Sequence, residues 1–276
     1  MITLETIAAV RAWRAGNPVS VGLVPTMGAL HDGHMALVRR ARAENERVAV
    51  SIFVNPAQFA ANEDLARYPR DLPHDLGLLQ AAGADVVFTP QPPEIYPPGF
   101  NTWVNVESVT DVLEGARRPG HFRGVATVVC KLFTITQPTR AYFGQKDAQQ
   151  CVVVRRMVRD LNLPLDVVIC PITRAADGLA LSSRNVYLSA EQRQAAPVLH
   201  RALREAELRF AQGERDANAL RAVMQAVLAA EPLARVDYIS VADADTLAEL
   251  ATVDAPAVAS LAVYFGTTRL IDNTFL

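Results

Sequence analysis

Short apolar runs alternate with amphipathic segments along the first part of the chain. The runs at 19–24 and 48–54 are rich in β-branched residues, which is typical of buried strands. The segment between them, 35–46, has apolar positions at helical spacing and therefore predicts a helix. A strand, a helix and a second strand at this spacing predict a βαβ unit with parallel strands and a right-handed crossover.

The same alternation continues to about residue 170. Further helices are predicted over 72–82, 124–135 and 147–162, further strands over 85–89, 141–143 and 165–170, and an irregular loop over the proline-rich segment 90–100. The strands are apolar throughout, so both faces of their sheet are expected to be covered. The pattern predicts an α/β fold with a Rossmann-like doubly wound parallel sheet, whose ligands bind at the carboxyl ends of the strands.

The pattern changes after about residue 178. Helices are predicted over 189–212 and 216–230, followed by strands over 237–242, 257–265 and 268–271. Helices followed by strands predict a smaller C-terminal α+β domain. The predicted domains are therefore 1–178 and 179–276, with no long flexible linker between them.

Composition narrows the class of protein. The 276 residues are 50% hydrophobic, and a formal net charge of −2 offers no surface for a polyanion, so no nucleic acid is expected as a partner. Three scattered cysteines indicate reduced thiols. The first 14 residues lack the apolar core of a signal peptide, and the longest mainly apolar run, 257–265, is too short to span a membrane. We expect a cytoplasmic protein without a membrane partner.

The segment 24–34, with the sequence VPTMGALHDGH, joins the first of these strands to the helix that follows it. A helix start carries unpaired N–H groups and the positive end of the helix dipole, which favour a phosphate. Gly28 and Gly33 allow close backbone approach and unusual φ values. His31 and His34 are spaced to direct N–H donors at the same anion. The segment therefore predicts a phosphate-binding turn.

Two simpler interpretations of this turn stay open. The histidines can belong to a solvated helix start, with Asp32 as the N-cap residue. His31 and His34 can also ligate a metal ion, although zinc usually takes three or four protein ligands. The remaining histidines and the cysteines show no ligand-like spacing, which makes the metal interpretation the weaker one.

Asn55 and Gln58 follow the strand at 48–54, where Pro56 ends the ladder of hydrogen bonds. Two amides at the carboxyl end of a strand suit a small hydroxy acid. The alternative is that both side chains satisfy the backbone of their own turn.

A second strand–turn–helix segment, FGQKDAQQ (143–150), places Lys146 at a predicted helix start. A lysine there opposes the helix dipole, and a negatively charged ligand explains its presence. Asp147 is the predicted cap residue, and Gln150 lies on about the same helical face.

A further cluster of donors lies at the junction of the two predicted domains. Ser182, Ser183 and Arg184 suit phosphoryl oxygens as a group, although an isolated arginine here is most simply a surface residue.

Several segments carry a resemblance to one family. They are VPTMGALHDGH (24–34), SIFVNPAQF (51–59), DLARYPR (64–70), EGARRPGHFRGV (114–125), FGQKDAQQ (143–150), DGLALSSRN (177–185) and RLIDN (269–273). Together they closely resemble the pantoate–β-alanine ligases (pantothenate synthetases), whereas the broader nucleotidyltransferase superfamily shares only the H-x-G-H motif.

This resemblance implies a two-step ligation in pantothenate and coenzyme A biosynthesis. Pantoate attacks the α-phosphorus of ATP to form pantoyl adenylate and pyrophosphate, and β-alanine then gives pantothenate and AMP. The resemblance also implies Mg²⁺, a homodimer, a nucleotide- and pantoate-binding domain at 1–178, and a smaller domain at 179–276 that closes over the site. It assigns no protein ligand to the metal ion.

The family's site residues are transferred by position. The resemblance implies ATP contacts at Pro25, Thr26, Met27, Gly28, Ala29, Leu30, His31, Asp32, Gly33, His34, Gly144, Gln145, Lys146, Asp147, Thr173 (through its backbone), Leu181, Ser182, Ser183 and Arg184. It implies pantoate or β-alanine contacts at Gln58, Gln150 and Asn55. It implies catalytic roles for His34, His31, Lys146, Ser182, Ser183 and Arg184, with His34 as the main donor.

Two other function classes fit parts of the pattern. A nucleotide sensor without turnover is expected to have lost phosphate donors, and every donor named above is present. A cytidylyl- or adenylyltransferase that releases a nucleotide-linked product leaves Gln58 and Gln150 without a role. Formation of AMP that depends on both pantoate and β-alanine distinguishes the three functions.

Overall fold

A computed structural model of the chain describes residues 1–60, 63 and 65–276. The first residue of the 64–70 motif thus lies outside the described residues. The chain forms two compact units, one of residues 1–144 and 153–170 and the other of residues 145–152 and 171–276. The second unit includes residues 171–178, which the sequence-based division assigns to the first domain. The functional division at residue 178 stays a prediction.

The first unit is an α/β structure. Its elements are β1 Ile2–Leu4, α1 Ile7–Ala15, β2 Val21–Thr26, α2 Asp32–Glu44, β3 Arg47–Ile52, α3 Leu72–Ala81, β4 Val86–Phe88, α4 Pro92–Ile95, α5 Leu113–Arg117, α6 His121–Thr136, β5 Arg140–Gly144 and β6 Asp166–Cys170, together with the later residues of α7 Ala148–Asp160. The strands form one sheet in the order β1-β4-β3-β2-β5-β6, and all of its recorded pairings are parallel. The predicted doubly wound parallel sheet is confirmed.

Packing explains why the central strands lack alternation. Val24 of β2 and Val50 of β3 pack in one apolar cluster with Val38 of α2 and Leu79 of α3. Leu23, the neighbour of Val24 that points to the opposite face, is also completely buried. Both faces of the sheet are therefore covered, as the apolar runs predict.

Three elements of this unit have no counterpart in the predictions, namely β1, α1 and α5, and the predicted loop 90–100 contains the short helix α4. Pro92 explains the last difference, because proline is well suited to a first helical position, where its N–H would have no helical partner. The three residues of β1 form a strand through pairing with distant β4, for instance Ile2 with Val86. A strand that depends on pairing with such a distant segment leaves little indication in its own few residues.

The second unit packs helices on an antiparallel sheet. Its elements are α8 Ala190–Ala195, α9 Val198–Ala211, α10 Ala217–Ala229, β7 Ala234–Asp243, β8 Ala257–Phe265 and β9 Thr268–Phe275, and the strand order is β7-β8-β9. The predicted smaller α+β region is confirmed, with one correction. The single helix predicted over 189–212 is divided into α8 and α9 at Pro197, because a proline inside a helix removes a hydrogen bond and clashes with the preceding turn.

The core of this unit lies between the helices and the sheet. Leu203 of α9 and Leu220 and Met224 of α10 are completely buried against Leu261 and Val263 of β8. The same unit contains two 3₁₀ turns, Gln145–Asp147 and Ser183–Tyr187, which carry predicted site residues. Within the described ranges, no helix has both the length and the apolar character that a membrane span requires.

Candidate active site

The H-x-G-H turn lies at the point where the order of the parallel sheet reverses. From β2 the chain adds β3 and then β4 on one side, and it returns to the other side of β2 for β5 and β6. The carboxyl ends of strands at such a switch point are the usual position of a ligand in open α/β sheets. Thr26 ends β2, and α2 begins at Asp32, so the intervening residues occupy this position.

Two histidines, and not Asp32, cap helix α2. His31 is the N-cap residue, and its Nδ1 accepts the N–H of Gly33 at 3.1 Å. His34 Nδ1 in turn accepts the N–H of His31 at 3.3 Å, which completes a capping box. The interpretation in which Asp32 is the N-cap residue is wrong, because Asp32 is the first residue of the helix itself.

This capping box also sets the tautomer of both rings. An imidazole that accepts at Nδ1 carries its proton on Nε2. His31 and His34 are therefore Nε2–H donors, and their ring centroids are 4.1 Å apart. The cap interpretation and the donor interpretation are thus compatible, because each ring uses one nitrogen for the helix and retains a proton on the other. Within the described ranges, no group of three or more potential metal-ligating side chains occurs.

The turn before these histidines is held by a buried carboxylate. Asp75 of α3 is only 1% exposed, and its two oxygens accept the N–H groups of Ala29 (2.9 Å) and Leu30 (2.8 Å). Burial raises the pKa of Asp75, and these two hydrogen bonds oppose that shift. Ala29 has a left-handed φ of 51°, so the carboxylate stabilises a conformation that costs energy for a residue with a Cβ atom.

The two glycines of the turn differ. Gly28 has a left-handed φ of 83°, which favours glycine, and an added Cβ atom would also crowd Asp75 Oδ2 at 3.0 Å. Gly33 instead lies in the first turn of α2, outside the left-handed region. The prediction of an unusual φ is confirmed for Gly28 and wrong for Gly33.

Asn55 and Gln58 lie on opposite ends of the 3₁₀ turn that follows β3, and their side chains are bonded to each other. Asn55 Nδ2 donates to Gln58 Oε1 (3.0 Å) and to the carbonyl of Gly124 (3.1 Å). Asn55 Oδ1 accepts from the hydroxyl of Tyr96 (2.8 Å) and from the N–H of Ala57 (3.3 Å). All four hydrogen-bonding positions of this buried amide are therefore used within the protein. The arrangement favours an orienting role for Asn55, whose side chain holds that of Gln58.

Helix α6 approaches this turn closely. At Gly124 an added Cβ atom would lie 2.3 Å from the backbone oxygen of Ala57, so glycine is required for the contact. Gln58 Nε2 also donates to Met27 Sδ at 3.0 Å. The first unit thus brings Gln58 into contact with the segment that leads to the H-x-G-H turn.

A second group of residues holds the backbone of Gln58. His121 Nδ1 donates to the Gln58 carbonyl at 2.8 Å, and His121 Nε2 accepts from Arg118 at 3.1 Å. Arg118 makes two bonds to the carboxylate of Glu63, at 2.7 and 2.8 Å. Burial, with a further contribution from the Arg118 charge, lowers the pKa of His121 to about 4. The 114–125 motif contains Arg118 and His121, but the sequence alone assigns them no role.

In the second unit, Lys146 lies in the middle of the 3₁₀ turn Gln145–Asp147, directly after Gly144 at the end of β5. Its Nζ is 3.6 Å from Asp147 Oδ1, and its side chain is 20% exposed. Gln150 lies in the first turn of α7 and is half-buried.

The predicted residues Thr173 and Leu181–Arg184 are also brought together in the second unit. The Leu181 N–H donates to the Thr173 carbonyl at 2.9 Å, which closes the intervening chain into a loop. Ser182 caps the following 3₁₀ turn by accepting the N–H of Arg184 at 3.3 Å. Ser183 and Arg184 begin this turn, so the three side chains that suit a phosphate follow one another on a defined backbone.

The family model and the relatives named here match this chain over nearly its whole length. The family model described as "Pantoate-beta-alanine ligase" matches residues 2–275. A protein of Roseiflexus sp. (strain RS-1), named "Pantothenate synthetase", is 64% identical over 100% of this chain and 99% of its own length. A protein of the same name from Chloroflexus aurantiacus (strain ATCC 29366 / DSM 635 / J-10-fl) is 65% identical over 100% of this chain and 98% of its own.

Solved structures agree with this relationship. The pantothenate synthetase of Thermus thermophilus superimposes with a TM-score of 0.95 at 52% identity, over 99% of both chains. The pantoate–β-alanine ligase of Francisella tularensis, complexed with "Beta-gamma ATP and Beta-alanine", gives a TM-score of 0.81 at 34% identity, over 99% of this chain and 97% of that one. This chain is therefore an enzyme of the pantoate–β-alanine ligase family.

Proposed function

We propose that this enzyme joins pantoate to β-alanine through a pantoyl adenylate, with ATP as the second substrate and with AMP and pyrophosphate as by-products. The observation that carries the proposal is the capping box at the switch point of the sheet. It keeps His31 and His34 as Nε2–H donors at the start of α2. The ATP and β-alanine bound to the Francisella tularensis ligase support the same substrates for this chain.

In the first step, a carboxylate oxygen of pantoate attacks the α-phosphorus of ATP, and the bond from that phosphorus to the bridging oxygen of pyrophosphate breaks. This chemistry requires alignment of the reactants and donors at the oxygens where negative charge develops. We assign those donors to His31, His34 and Lys146, assisted by the group Ser182, Ser183 and Arg184.

Gln58 and Gln150 are the proposed contacts of pantoate. The position of Gln58 is fixed at both ends, since Asn55 bonds to its side-chain oxygen and His121 bonds to its backbone carbonyl. Burial raises the pKa of Tyr96 to about 12, so its hydroxyl stays a donor to Asn55 at neutral pH. A preorganised amide loses little freedom when it binds a ligand, which favours affinity.

In the second step, the amine of β-alanine attacks the carbonyl carbon of the adenylate. The bond from that carbon to the phosphate oxygen breaks, so the oxygen leaves with AMP, and the amine releases a proton. We propose that ATP enters as its Mg²⁺ complex, with phosphate oxygens as the main ligands. The described residues contain no cluster of three ligating side chains, and Mg²⁺ commonly binds through substrate phosphates with few protein ligands.

Two further properties complete the proposal. We expect a homodimer, which sedimentation velocity at several protein concentrations tests directly. We also expect a cytoplasmic enzyme, because the sequence contains only three scattered cysteines and no disulfide-like pattern. Fractionation of the source cells with an antibody to the chain tests the location.

The order of the steps provides the decisive experiment. ATP and pantoate without β-alanine should support exchange of labelled pyrophosphate into ATP. With ¹⁸O in the pantoate carboxylate and β-alanine present, one label should appear in AMP. Lys146→Ala should depress the exchange itself. Formation of ADP, or label in orthophosphate, would overturn the adenylate mechanism even if pantothenate were the product.

A further inference from the structure

The RLIDN segment at 269–273 lies in β9, and its last residue bonds to the turn that carries Lys146. Asn273 Nδ2 donates to the carbonyl of Gln145 at 2.9 Å and to the carbonyl of Lys146 at 2.9 Å. Asn273 Oδ1 accepts from the side chain of Gln145 at 3.3 Å. The sequence separation is 127 and 128 residues, so these bonds join distant parts of the second unit.

The orientation of the Asn273 amide follows from its partners. A backbone carbonyl only accepts, so the side-chain nitrogen must face the two carbonyls. Asn273 is 3% exposed, and its backbone N–H donates to Asp272 Oδ1 at 2.9 Å. Asp272 is in turn held by a two-pronged ion pair with Arg174, at 2.6 and 3.0 Å. Asn273 therefore presents its donors from a rigid strand.

The carbonyls of Gln145 and Lys146 belong to the two peptide groups on either side of the Lys146 Cα atom. Hydrogen bonds from Asn273 to both carbonyls therefore fix the position of both peptide groups. A 3₁₀ turn has poorer hydrogen-bond geometry than an α-helix, so external bonds of this kind matter more to it. Lysine has a flexible side chain, and the placement of its ammonium group therefore depends strongly on the backbone from which it extends.

We propose that Asn273 is a positioning residue for adenylate formation, acting through Lys146. The inference rests on the proposed function, because it requires Lys146 to contact the phosphates of ATP. Asn273 itself touches the backbone of the turn and is not assigned a contact with substrate.

The first test is the rate of pantoate-dependent pyrophosphate exchange in Asn273→Ala and Asn273→Ser. Asn273→Ala loses the two hydrogen bonds to the turn carbonyls and the one from the Gln145 side chain, and we expect a reduction of about 10- to 100-fold, with the KM for pantoate changed by less than about twofold. Asn273→Ser retains one donor and should give an intermediate rate. If Asn273→Ala does not fold, as judged by circular dichroism, the serine variant decides the outcome.

Thr274→Val is the matched control. Thr274 is the next residue of β9, and its hydroxyl donates to the carboxylate of Glu207 on α9, away from the Lys146 turn. This variant also loses one hydrogen bond of the same strand, so it should lower stability without lowering the exchange rate. An equal loss of rate in Thr274→Val would show that β9 acts only through overall stability, and would overturn the inference.

A double-mutant cycle separates positioning through Lys146 from an independent effect. If Asn273 acts through Lys146, then adding Asn273→Ala to Lys146→Ala should reduce the rate little further. If the two losses multiply, or if Asn273→Ala exchanges pyrophosphate at the wild-type rate, the inference is wrong. Absence of pyrophosphate exchange in the wild-type enzyme would instead overturn the proposed function.

Hydrogen exchange followed by mass spectrometry provides a readout that does not require activity. Amides of the peptide covering 143–150 should exchange faster in Asn273→Ala than in wild type or Thr274→Val. Unchanged protection of this peptide would overturn the inference whether or not the proposed function holds.

Discussion

The two proposed phosphate-binding turns are held by opposite chemistry. In the first unit, the buried carboxylate of Asp75 accepts two consecutive N–H groups, from Ala29 and Leu30. In the second unit, the buried amide of Asn273 donates to two consecutive carbonyls, from Gln145 and Lys146. In both units, a single side chain that is distant in sequence holds two neighbouring peptide groups.

The difference follows from which backbone groups each turn leaves without a partner. In the first turn these are the N–H groups of Ala29 and Leu30, which precede the N-cap His31 and require an acceptor such as a carboxylate. The Lys146 turn presents carbonyls, for which a donor is required. The amide of Asn273 is neutral, so it holds this turn without adding a charge that would compete with the phosphates for Lys146. A negative charge at Asp75 is compatible with the first turn because two N–H groups surround it.

The most severe loss of activity should follow from replacing His34, the proposed donor next to the first turn. His34→Ala and His34→Gln should each reduce pyrophosphate exchange by roughly 10²–10³-fold, the loss typical of one transition-state donor. Glutamine is a normal capping-box residue at this helix position, so His34→Gln should retain the stability that His34→Ala loses. Thermal unfolding and exchange rates measure the two effects. A wild-type rate of exchange in His34→Gln would show that His34 acts only as a helix cap.

A second prediction concerns pantoate, the substrate that neither phosphate-binding turn is proposed to bind. Gln58→Ala and Gln150→Ala should each raise the KM for pantoate by about ten- to hundredfold, because a lost hydrogen bond to a charged group costs roughly 1.5–3 kcal/mol. The KM for ATP should stay close to the wild-type value. Steady-state kinetics with each substrate varied in turn provide the measurement. An unchanged KM for pantoate in both variants contradicts the assignment.

A third prediction tests how the first turn is held. Asp75→Asn has nearly the same shape, but its NH₂ group would face one of the two N–H groups and leave it unsatisfied. We expect the free energy of unfolding to fall by about 1–3 kcal/mol. Asp71→Asn on the same helix is the matched control, because Asp71 accepts a single N–H as the N-cap of α3 and asparagine caps as well as aspartate. Equal stabilities of the two variants in urea titrations would show that the second acceptor oxygen does not matter.

A fourth prediction concerns the pH dependence of stability near Gln58. The pKa of His121 is lowered to about 4 in the folded protein, whereas the ordinary value is 6.5. Between these values the unfolded chain binds more protons, so stability should fall on acidification, by up to about 1.4 kcal/mol per pH unit from this group. The slope from this group declines through pH 6.5 and vanishes well above it. His121→Asn should have a shallower dependence in urea titrations between pH 6.5 and 4, and parallel curves would contradict the expectation.

Local sequence was sufficient for those features that depend on near neighbours. Hydrophobic periodicity predicted the parallel sheet, and the glycine at position 28 indicated a turn that an ordinary residue adopts with difficulty. The position of Lys146 in the turn after β5 also followed from the strand–turn–helix pattern. These features are short-range because they depend on side-chain alternation, on φ preferences and on the start of a helix.

Only the tertiary structure showed which side chains hold the site. Asp75 bonds to N–H groups 45 and 46 residues away, and Asn273 bonds to carbonyls 127 and 128 residues away. The capping box of His31 and His34 is a local contact, but histidine is not a preferred N-cap residue, so residue preference pointed to Asp32 instead. A hydrogen bond requires two groups within about 3 Å at a suitable angle, and for groups far apart in sequence only packing of the whole unit brings them together.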